Sequence, residues 1–226
     1  MLRRSLIHIV QNALAITGYT FATRMAWMDR KPGFVISDRM DYVRLSSLDL
    51  CAAEIYDKKI EGSVAELGVF QGDFAEKINF AFPDRTLYLF DTFEGFDKRD
   101  VVIENQKAYS SGDQDFSKTS VDRVLKMLPY PKNCLIRKGF FPESIQAEDR
   151  QGTFAFVSID TDLYQPIYEG LEFFYPRLSK GGYIFIHDYN NDLYKGAKKA
   201  VRDFCQSANI PYFPLTDGAG SAIIAK

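Results

Sequence analysis

Two apolar runs that end abruptly at polar, mostly acidic side chains constrain the fold of this chain more than any other feature of its sequence. Residues 154–159 form one run and residues 183–186 form the other. The polar residues that follow them are Asp160, Asp162, His187 and Asp188. Apolar runs of this length are typical of strands buried on both faces of a parallel sheet. If the two strands are neighbours, their polar residues meet at the carboxyl edge of the sheet, where open α/β sheets bind ligands.

The side chains predicted at this edge are three carboxylates and an imidazole, and neither motif contains Lys or Arg. Several acids gathered at one site without a basic residue to neutralise them indicate that the site binds a cation or transfers a proton. Carboxylate oxygens suit Mg²⁺, Mn²⁺ or Ca²⁺, whereas an imidazole shifts the preference toward Mn²⁺, Fe²⁺ or Co²⁺. A carboxylate beside a cation can also take a proton from a substrate hydroxyl. The alternative is that these side chains only cap the helices that follow the strands.

The composition indicates one α/β domain with a small N-terminal extension. The chain has 226 residues, of which 46% are hydrophobic, so it can build a sizeable core. Thirty acidic and 28 basic residues give a net charge of -2, which argues against nucleic acid as a partner. Cys51, Cys134 and Cys205 are too widely spaced for a zinc motif and indicate buried thiols in a reducing compartment. We therefore expect a cytoplasmic protein.

The N-terminal residues combine two arginines with an apolar stretch, as a signal peptide would. The stretch is interrupted by His8, Gln11 and Asn12, and it is too short and too polar to span a bilayer. Its apolar residues have helical spacing, which predicts an amphipathic helix that serves packing, dimerisation or a membrane surface. We assign residues 1–60 to a helical extension and residues 61–226 to the main domain.

Strand-like runs alternate with helical patterns after residue 60, which predicts a doubly wound, parallel sheet. Strands are predicted at residues 63–67, 86–90, 134–137, 154–159 and 183–186. The tail differs, because Asp217-Gly-Ala-Gly220 separates two short apolar runs and predicts a hairpin with an antiparallel strand. That ending distinguishes a methyltransferase-type sheet from an ordinary dinucleotide-binding one. Residues 23–41 and 96–120 lack clear periodicity and are predicted to be lids over the carboxyl edge.

Glu66, Gly68 and Gly72 follow the first predicted strand and precede a helix. Glycines allow close approach of the backbone to a ligand, and a helix start offers unpaired N–H groups. The glycine spacing is not that of a pyrophosphate-binding loop, and the motif contains no basic residue that could bind a phosphate. Glu66 is therefore predicted to meet a cationic or hydroxyl-bearing ligand, although a plain tight turn explains this motif alone equally well.

Asp91 ends the second predicted strand about 20 residues beyond the glycines, where nucleotide-binding sheets place the carboxylate that accepts the ribose hydroxyls. Phe93 can lie against an adenine face. The alternative for Asp91 is a helix cap. Together, the glycine turn and this acid favour a nucleoside cofactor.

Five segments closely resemble the macrocin O-methyltransferase (TylF) family. They are VAELGVFQG at residues 64–72, LYLFDTFEGF at 87–96, KGFFPES at 138–144, IDTDLYQP at 159–166 and LSKGGYIFIHDY at 178–189. The resemblance implies a class I enzyme that uses S-adenosylmethionine and a divalent metal. It also implies an α/β fold with a mostly parallel seven-stranded sheet, an antiparallel C-terminal hairpin strand and an N-terminal helical extension.

The resemblance assigns roles to residues of each motif. It places Glu66, Gly68 and Gly72 around the methionine part of the cofactor, Asp91 at the ribose, and Gly139 and Phe140 near the adenine. It makes Asp160, His187 and Asp188 the metal ligands, and Asp162, beside Asp160, the general base. Mg²⁺ is the metal expected from the resemblance. Because the family's usual Asp-Asp-Tyr is His187-Asp188-Tyr189 here, Mn²⁺ or another transition metal is the alternative.

The resulting hypothesis is O-methylation of a hydroxyl on a sugar or a glycosylated small molecule by an enzyme that can form a homodimer. One alternative is metal-independent methylation with His187 as the base. Another is a catalytically silent module that binds the cofactor or a partner protein.

Overall fold

The computed structural model describes residues 41–226, together with Val10. The chain divides into two compact units, Met1–Pro32 and Gly33–Lys226. The predicted amphipathic helix and the first predicted lid up to residue 40 lie outside the described residues, Val10 excepted. Within the described part, no helix is long and apolar enough to cross a membrane.

A seven-stranded sheet forms the centre of the larger unit. Its strands are β1 Ser63–Leu67, β2 Leu87–Asp91, β3 Cys134–Lys138, β4 Phe154–Ile159, β5 Leu178–Ile186, β6 Phe213–Pro214 and β7 Ala222–Ala225. The spatial order is β3-β2-β1-β4-β5-β7-β6. Strands β1 to β5 pair in parallel, β7 pairs antiparallel with β5, and β6 pairs antiparallel with β7. The predicted mostly parallel sheet with an antiparallel C-terminal hairpin is confirmed.

Helices cover both faces of this sheet. They are α1 Tyr42–Asp57, α2 Asp73–Ala81, α3 Lys98–Lys107, α4 Val121–Met127, α5 Tyr164–Arg177 and α6 Lys195–Ala208, with a short 3-10 helix at Pro131–Asn133. One apolar cluster joins the sheet to α5 and α6, and a second joins the opposite face to α1, α2 and α4. Because both faces are covered, all six residues of β4 are buried, as expected for a central parallel strand.

Helix α1 belongs to the same packed unit as the sheet, although it lies in the predicted N-terminal extension. Asp41 caps it by accepting hydrogen bonds from the backbone N–H groups of Val43, at 2.6 Å, and Arg44, at 3.2 Å. Leu48 and Ile55 are fully buried in the second apolar cluster. These contacts hold α1 against the sheet as part of the larger unit.

The segment of residues 96–120, predicted as a long loop, contains α3. Its buried residues are Asp100 and Glu104, so no apolar periodicity marks the helix in the sequence. Glu104 is fully buried and accepts hydrogen bonds from the backbone N–H of Tyr164, at 2.6 Å, and from the Ser110 hydroxyl, at 2.8 Å. Polar contacts with α5 and with the rest of the segment thus hold the helix in place.

Strand β5 starts at Leu178, earlier than the predicted start at residue 183. Gly181 and Gly182 lie inside this strand, and Gly181 adopts a φ of +88°, which glycine tolerates without strain. The predicted neighbourhood of β4 and β5 is confirmed, with Ile159 paired to Ile186. Asp160 and His187 therefore leave the sheet side by side.

The three cysteines are free. Cys205 is buried, whereas Cys51 and Cys134 are partly buried. Burial raises the pKa of Cys51 to about 12 and the pKa values of the other two thiols to about 11. These thiols are therefore neutral near pH 7 and poorly reactive.

Candidate active site

A cavity of about 360 Å³ opens at the carboxyl edge of the sheet. The loops that follow β1 to β5 all contribute to its lining, and α1 contributes Arg44. The cavity-lining residues that the sequence predicted are Glu66, Gly68, Asp91, Gly139, Phe140, Asp160, Asp162, His187 and Asp188. The structure thus brings together residues that are as much as 122 positions apart (66 to 188) in the chain.

Asp160, His187 and Asp188 form the acidic end of the cavity. The Nδ1 atom of His187 lies 3.1 Å from Oδ1 of Asp160 and 2.6 Å from Oδ2 of Asp188. One ligand atom from each of the three residues lies within 4.8 Å of the others. Asn191 donates a hydrogen bond to the second oxygen of Asp188, at 2.5 Å, and so orients that carboxylate.

Arg44 lies against this cluster, and the sequence analysis missed it. Its guanidinium donates to Oδ2 of Asp160, at 3.0 Å, and to the Ser158 hydroxyl, at 3.3 Å. It also stacks 3.8 Å above the ring of Phe74 and is only 4% exposed. Arg44 lies four residues before Leu48 on the apolar stripe of α1, so a charged residue on an otherwise buried face was the available signal.

The charges at this end compensate one another. Burial would lower the pKa of His187, but the carboxylates of Asp160 and Asp188 raise it to about 10. Burial would raise the pKa of Asp160, but His187 and Arg44 lower it below its usual range. Burial and the charges of Asp160 and Asp188 hold the pKa of Asp162 well above its usual range. Two cationic side chains thus stabilise the acids in this cluster.

The same donor atoms fit a divalent cation. Neighbouring ligands of an octahedral ion such as Mg²⁺ lie about 3 Å apart, close to the spacings of His187 Nδ1 from Asp160 and Asp188. Two carboxylate oxygens and an imidazole nitrogen also suit Mn²⁺ or Co²⁺. Arg44 engages Oδ2 of Asp160, which leaves Oδ1 facing the imidazole.

Asp162 does not extend β4 beyond Ile159. Its φ of +61° turns the chain after the strand ends. The side chain still lies close enough to Asp160 and Asp188 for their charges to raise its pKa. The chain is therefore not extended at Asp162, but the turn brings Asp162 into the same cavity as Asp160.

The glycine turn after β1 lies directly against the loop after β4. Gly68 has a φ of +86°, and a Cβ there would overlap with the carbonyl oxygen of Asp160 and lie 2.6 Å from its carbonyl carbon. The approach is close because the N–H of Asp160 donates to the carbonyl of Leu67, at 2.8 Å. Only glycine fits this position.

We expect Gly68→Ala to lower the free energy of unfolding by about 3 kcal/mol or more, because backbone has to move to admit the methyl group. The matched control is Gly152→Ala, where the nearest atom to an added Cβ lies 3.9 Å away. Urea denaturation of both variants measures the effect. Equal stability of the two would contradict the close approach at Gly68.

Glu66 supplies a buried acceptor to the cavity. It is 1% exposed, and its Oε2 has no hydrogen-bond partner in the described part of the protein. Burial, followed by the charge of Asp160, raises its pKa well above the usual value. A buried carboxyl oxygen without a partner is costly, so a ligand that donates a hydrogen bond there would be stabilised.

Asp91 holds the glycine turn in place. One oxygen accepts from the N–H groups of Val69, at 2.6 Å, and Phe70, at 2.9 Å, and the other accepts from the N–H of Phe93. The helix-cap alternative is wrong, because the next helix, α3, is capped by Asp97. Asp91 also lines the cavity, and its carboxylate can accept further hydrogen bonds beyond these three.

Phe93 and Gly72 are not among the residues that line the cavity. Phe93 is 4% exposed and packs in the second apolar cluster, so its ring is not available to an adenine. The turn after β2, in which Phe93 has a φ of +53°, places the ring in the core. Gly72 is the N-cap of α2 and has a φ of +90°. Phe140 does line the cavity, and the Arg99 guanidinium stacks 3.5 Å from its ring.

Asp100 is a buried acid of this cavity that the sequence analysis did not single out. It is 6% exposed, and burial, followed by the charge of Glu169, raises its pKa to about 7. Between pH 3.8, the ordinary pKa of an aspartate, and pH 7, the carboxyl of Asp100 is ionised in the unfolded chain but protonated in the folded chain. The stability contribution is therefore complete below pH 3.8 and is lost as the pH rises through 7.

We therefore expect Asp100→Asn to raise the free energy of unfolding by about 2 kcal/mol at pH 8, and by progressively less as the pH falls toward 5. The neutral amide removes the cost of an ionised carboxyl in this environment. Denaturation at several pH values measures the difference, with the exposed Asp113→Asn as control. A gain that is independent of pH would contradict the titration of Asp100.

Two solved structures that share this fold are a named O-methyltransferase and a calicheamicin methyltransferase. The O-methyltransferase NovP matches with a TM-score of 0.66 and 20% identity, covering 81% of this chain and 79% of that one. The calicheamicin methyltransferase CalS11 matches with a TM-score of 0.65 and 21% identity, covering 80% and 78%. At this identity the likeness shows the fold, which is that of class I methyltransferases.

Residues 13–218 match the macrocin O-methyltransferase (TylF) family, and the chain belongs to this family. A relative from Streptomyces olivaceus, 8-demethyl-8-(2,3-dimethoxy-alpha-L-rhamnosyl)-tetracenomycin-C 4'-O-methyltransferase, is 24% identical over 71% of this chain. The mycinamicin III 3''-O-methyltransferase of Micromonospora griseorubida is 26% identical over 65% of this chain. The matches span 64% and 62% of the length of these two relatives.

Proposed function

We propose that this protein transfers the methyl group of S-adenosylmethionine to a hydroxyl of a sugar or a glycosylated small molecule. The observation that carries the proposal is one cavity that joins the Glu66–Asp91 end of the sheet to the cluster of Asp160, His187 and Asp188. Family membership and the sugar-modifying reactions in the names of the two relatives support it.

The cofactor would lie along the loops after β1, β2 and β3. Glu66, whose Oε2 has no partner, would accept a hydrogen bond from the amino group of the methionine part. The backbone at Gly68 permits close approach. Gly72 caps the helix whose first residues, Asp73 and Phe74, line the cavity. Asp91 would accept the ribose hydroxyls, and Gly139 and Phe140 would lie near the adenine.

Asp160, His187 and Asp188 would hold a divalent metal, which would lower the pKa of the acceptor hydroxyl. Arg44 would keep Asp160 ionised and oriented. Asp162 would take the hydroxyl proton while the oxygen forms a bond to the methyl carbon and the carbon–sulfur bond breaks. The sulfonium becomes a neutral thioether, so the charges balance. Such an in-line displacement depends mainly on how the reactants are positioned.

Calorimetric titration with S-adenosylmethionine tests the proposal, with adenosine monophosphate as the control ligand. We expect binding of the first ligand only, followed by methyl transfer to hydroxylated glycosides when these are supplied with a divalent metal. Absence of both heat and a thermal shift with S-adenosylmethionine would overturn the proposal and favour a module without this cofactor. Analytical ultracentrifugation tests the predicted homodimer.

A further inference from the structure

An acid that no proposed role uses lies at the β2–β3 end of the cavity. Asp100 belongs to the first turn of α3, directly after Arg99, whose guanidinium stacks on Phe140. Both Asp100 and Phe140 line the cavity. The charges that shift the pKa of Asp100 come from α3, its cap and Glu169, not from the cluster of acids after β4 and β5.

The hydrogen-bonding state of Asp100 differs from that of its neighbours. Asp97 is engaged by Arg99 through the backbone N–H, at 2.9 Å, and through the guanidinium, at 2.9 and 3.0 Å. Asp91 accepts three backbone N–H groups. In contrast, Oδ1 of Asp100 has no hydrogen-bond partner within residues 41–226, although the residue is only 6% exposed.

The apolar part of the cavity lining suits a flat heterocycle. Phe140, Phe141, Leu163 and Pro166 line the cavity with Asp100 and offer apolar surface. An aromatic base can pack on such surface, but the donors and acceptors on its edge need polar partners. The residues that follow β3 in the cavity lining are Gly139, Phe140 and Phe141, none of which carries a polar side chain.

We propose that Asp100 accepts a hydrogen bond from the exocyclic amino group of the cofactor's adenine, and so selects adenine over bases that carry a carbonyl at that position. The inference rests on the proposed function, because it requires an S-adenosyl ligand in this cavity. The comparison is made at about pH 8.5, where the carboxyl of Asp100 is ionised and can only accept hydrogen bonds. A carbonyl in place of the amino group then leaves two acceptors facing each other. A site built to receive a donor rejects an analogue that lacks it, because a buried polar group then stays unpaired.

The test compares binding of S-adenosylhomocysteine and S-inosylhomocysteine, in which a carbonyl replaces the amino group. We expect the native protein to bind the adenine ligand about 30-fold more tightly. In Asp100→Asn the amide N–H can donate to the carbonyl, so the preference should fall to about 3-fold or less. Asp100→Leu, which has no polar atom, should also lose most of the preference.

The matched control is Glu169→Gln, a neighbouring partly buried acid that does not line the cavity, and it should keep the native preference. If both Asp100 variants fold, as judged by thermal melting, and keep the full preference, the assignment is overturned while the cofactor proposal stands. If the native protein binds neither ligand, the proposed function fails and this inference fails with it.

Discussion

Asp162→Asn is expected to lower kcat by about 10²- to 10⁴-fold, the usual range for loss of a general base. The Kd for S-adenosylmethionine should change by less than about 3-fold, because the proposed cofactor contacts come from the loops after β1 to β3. Asn has nearly the same shape as Asp, so the turn at this position, where φ is +61°, is preserved. Steady-state kinetics and calorimetry on the same preparation measure the two quantities.

The matched control for this variant is Asp192→Asn, an exposed acid in the loop after β5. It changes the charge of the same edge of the sheet by the same amount and should leave kcat unaltered. If kcat in Asp162→Asn stays within about 3-fold of the native value, Asp162 is not the base. If the Kd for the cofactor rises as much as kcat falls, its role is structural.

Removal of divalent metal is expected to have the second large effect. Turnover should fall by about 100-fold or more after chelation and gel filtration, and should return when Mn²⁺ or Mg²⁺ is added. The physical reason is that Asp160, His187 and Asp188 place two oxygens and a nitrogen at spacings that suit a shared cation. Elemental analysis of the same samples shows whether lost metal and lost activity correspond.

His187→Asp sharpens this experiment, because it replaces the imidazole with the carboxylate that the family usually has there. We expect the variant to shift the preference toward Mg²⁺, since Mg²⁺ favours oxygen ligands. Asp188→Asn should weaken metal binding, so that higher concentrations of added metal are needed to restore activity. Full activity in metal-free native protein would contradict the metal proposal, and loss of that activity in His187→Asp would then identify His187 as the base.

The central features of the fold and one end of the site could be predicted from local sequence patterns. Strand β4 was recognisable because it is buried on both faces and therefore apolar at every position. Asp160 and His187 each come directly after one of two strands predicted to be neighbours, β4 and β5. The pairing of these strands places the two side chains next to each other, as predicted. The C-terminal hairpin could be predicted because its turn is encoded by a few consecutive residues. The contact of Gly68 with the backbone of Asp160 was not predicted, because it joins distant parts of the chain.

Other features depended on contacts between distant parts of the chain. Helix α3 escaped prediction because its buried residues are the acids Asp100 and Glu104. The burial of Glu104 is made tolerable by the backbone N–H of Tyr164, 60 residues away in the chain. Phe93 was predicted to face the cofactor, but the turn after β2 places its ring in the core. A residue's position after a strand predicts its edge of the sheet, whereas the direction of its side chain depends on the turn that follows.

The sequence by itself determined a parallel sheet whose carboxyl edge carries acids. An uninterrupted run of apolar residues marks a buried strand, and the first polar residue after the run marks the end of that strand. Only the tertiary structure decided that Arg44 reaches Asp160 across 116 residues, and that Asp100 lies buried in the cavity without a partner for Oδ1. Both depend on how a helix packs on the sheet. That packing is a sum of many contacts between distant residues, apolar for α1 and polar for α3, and no short stretch of sequence encodes it.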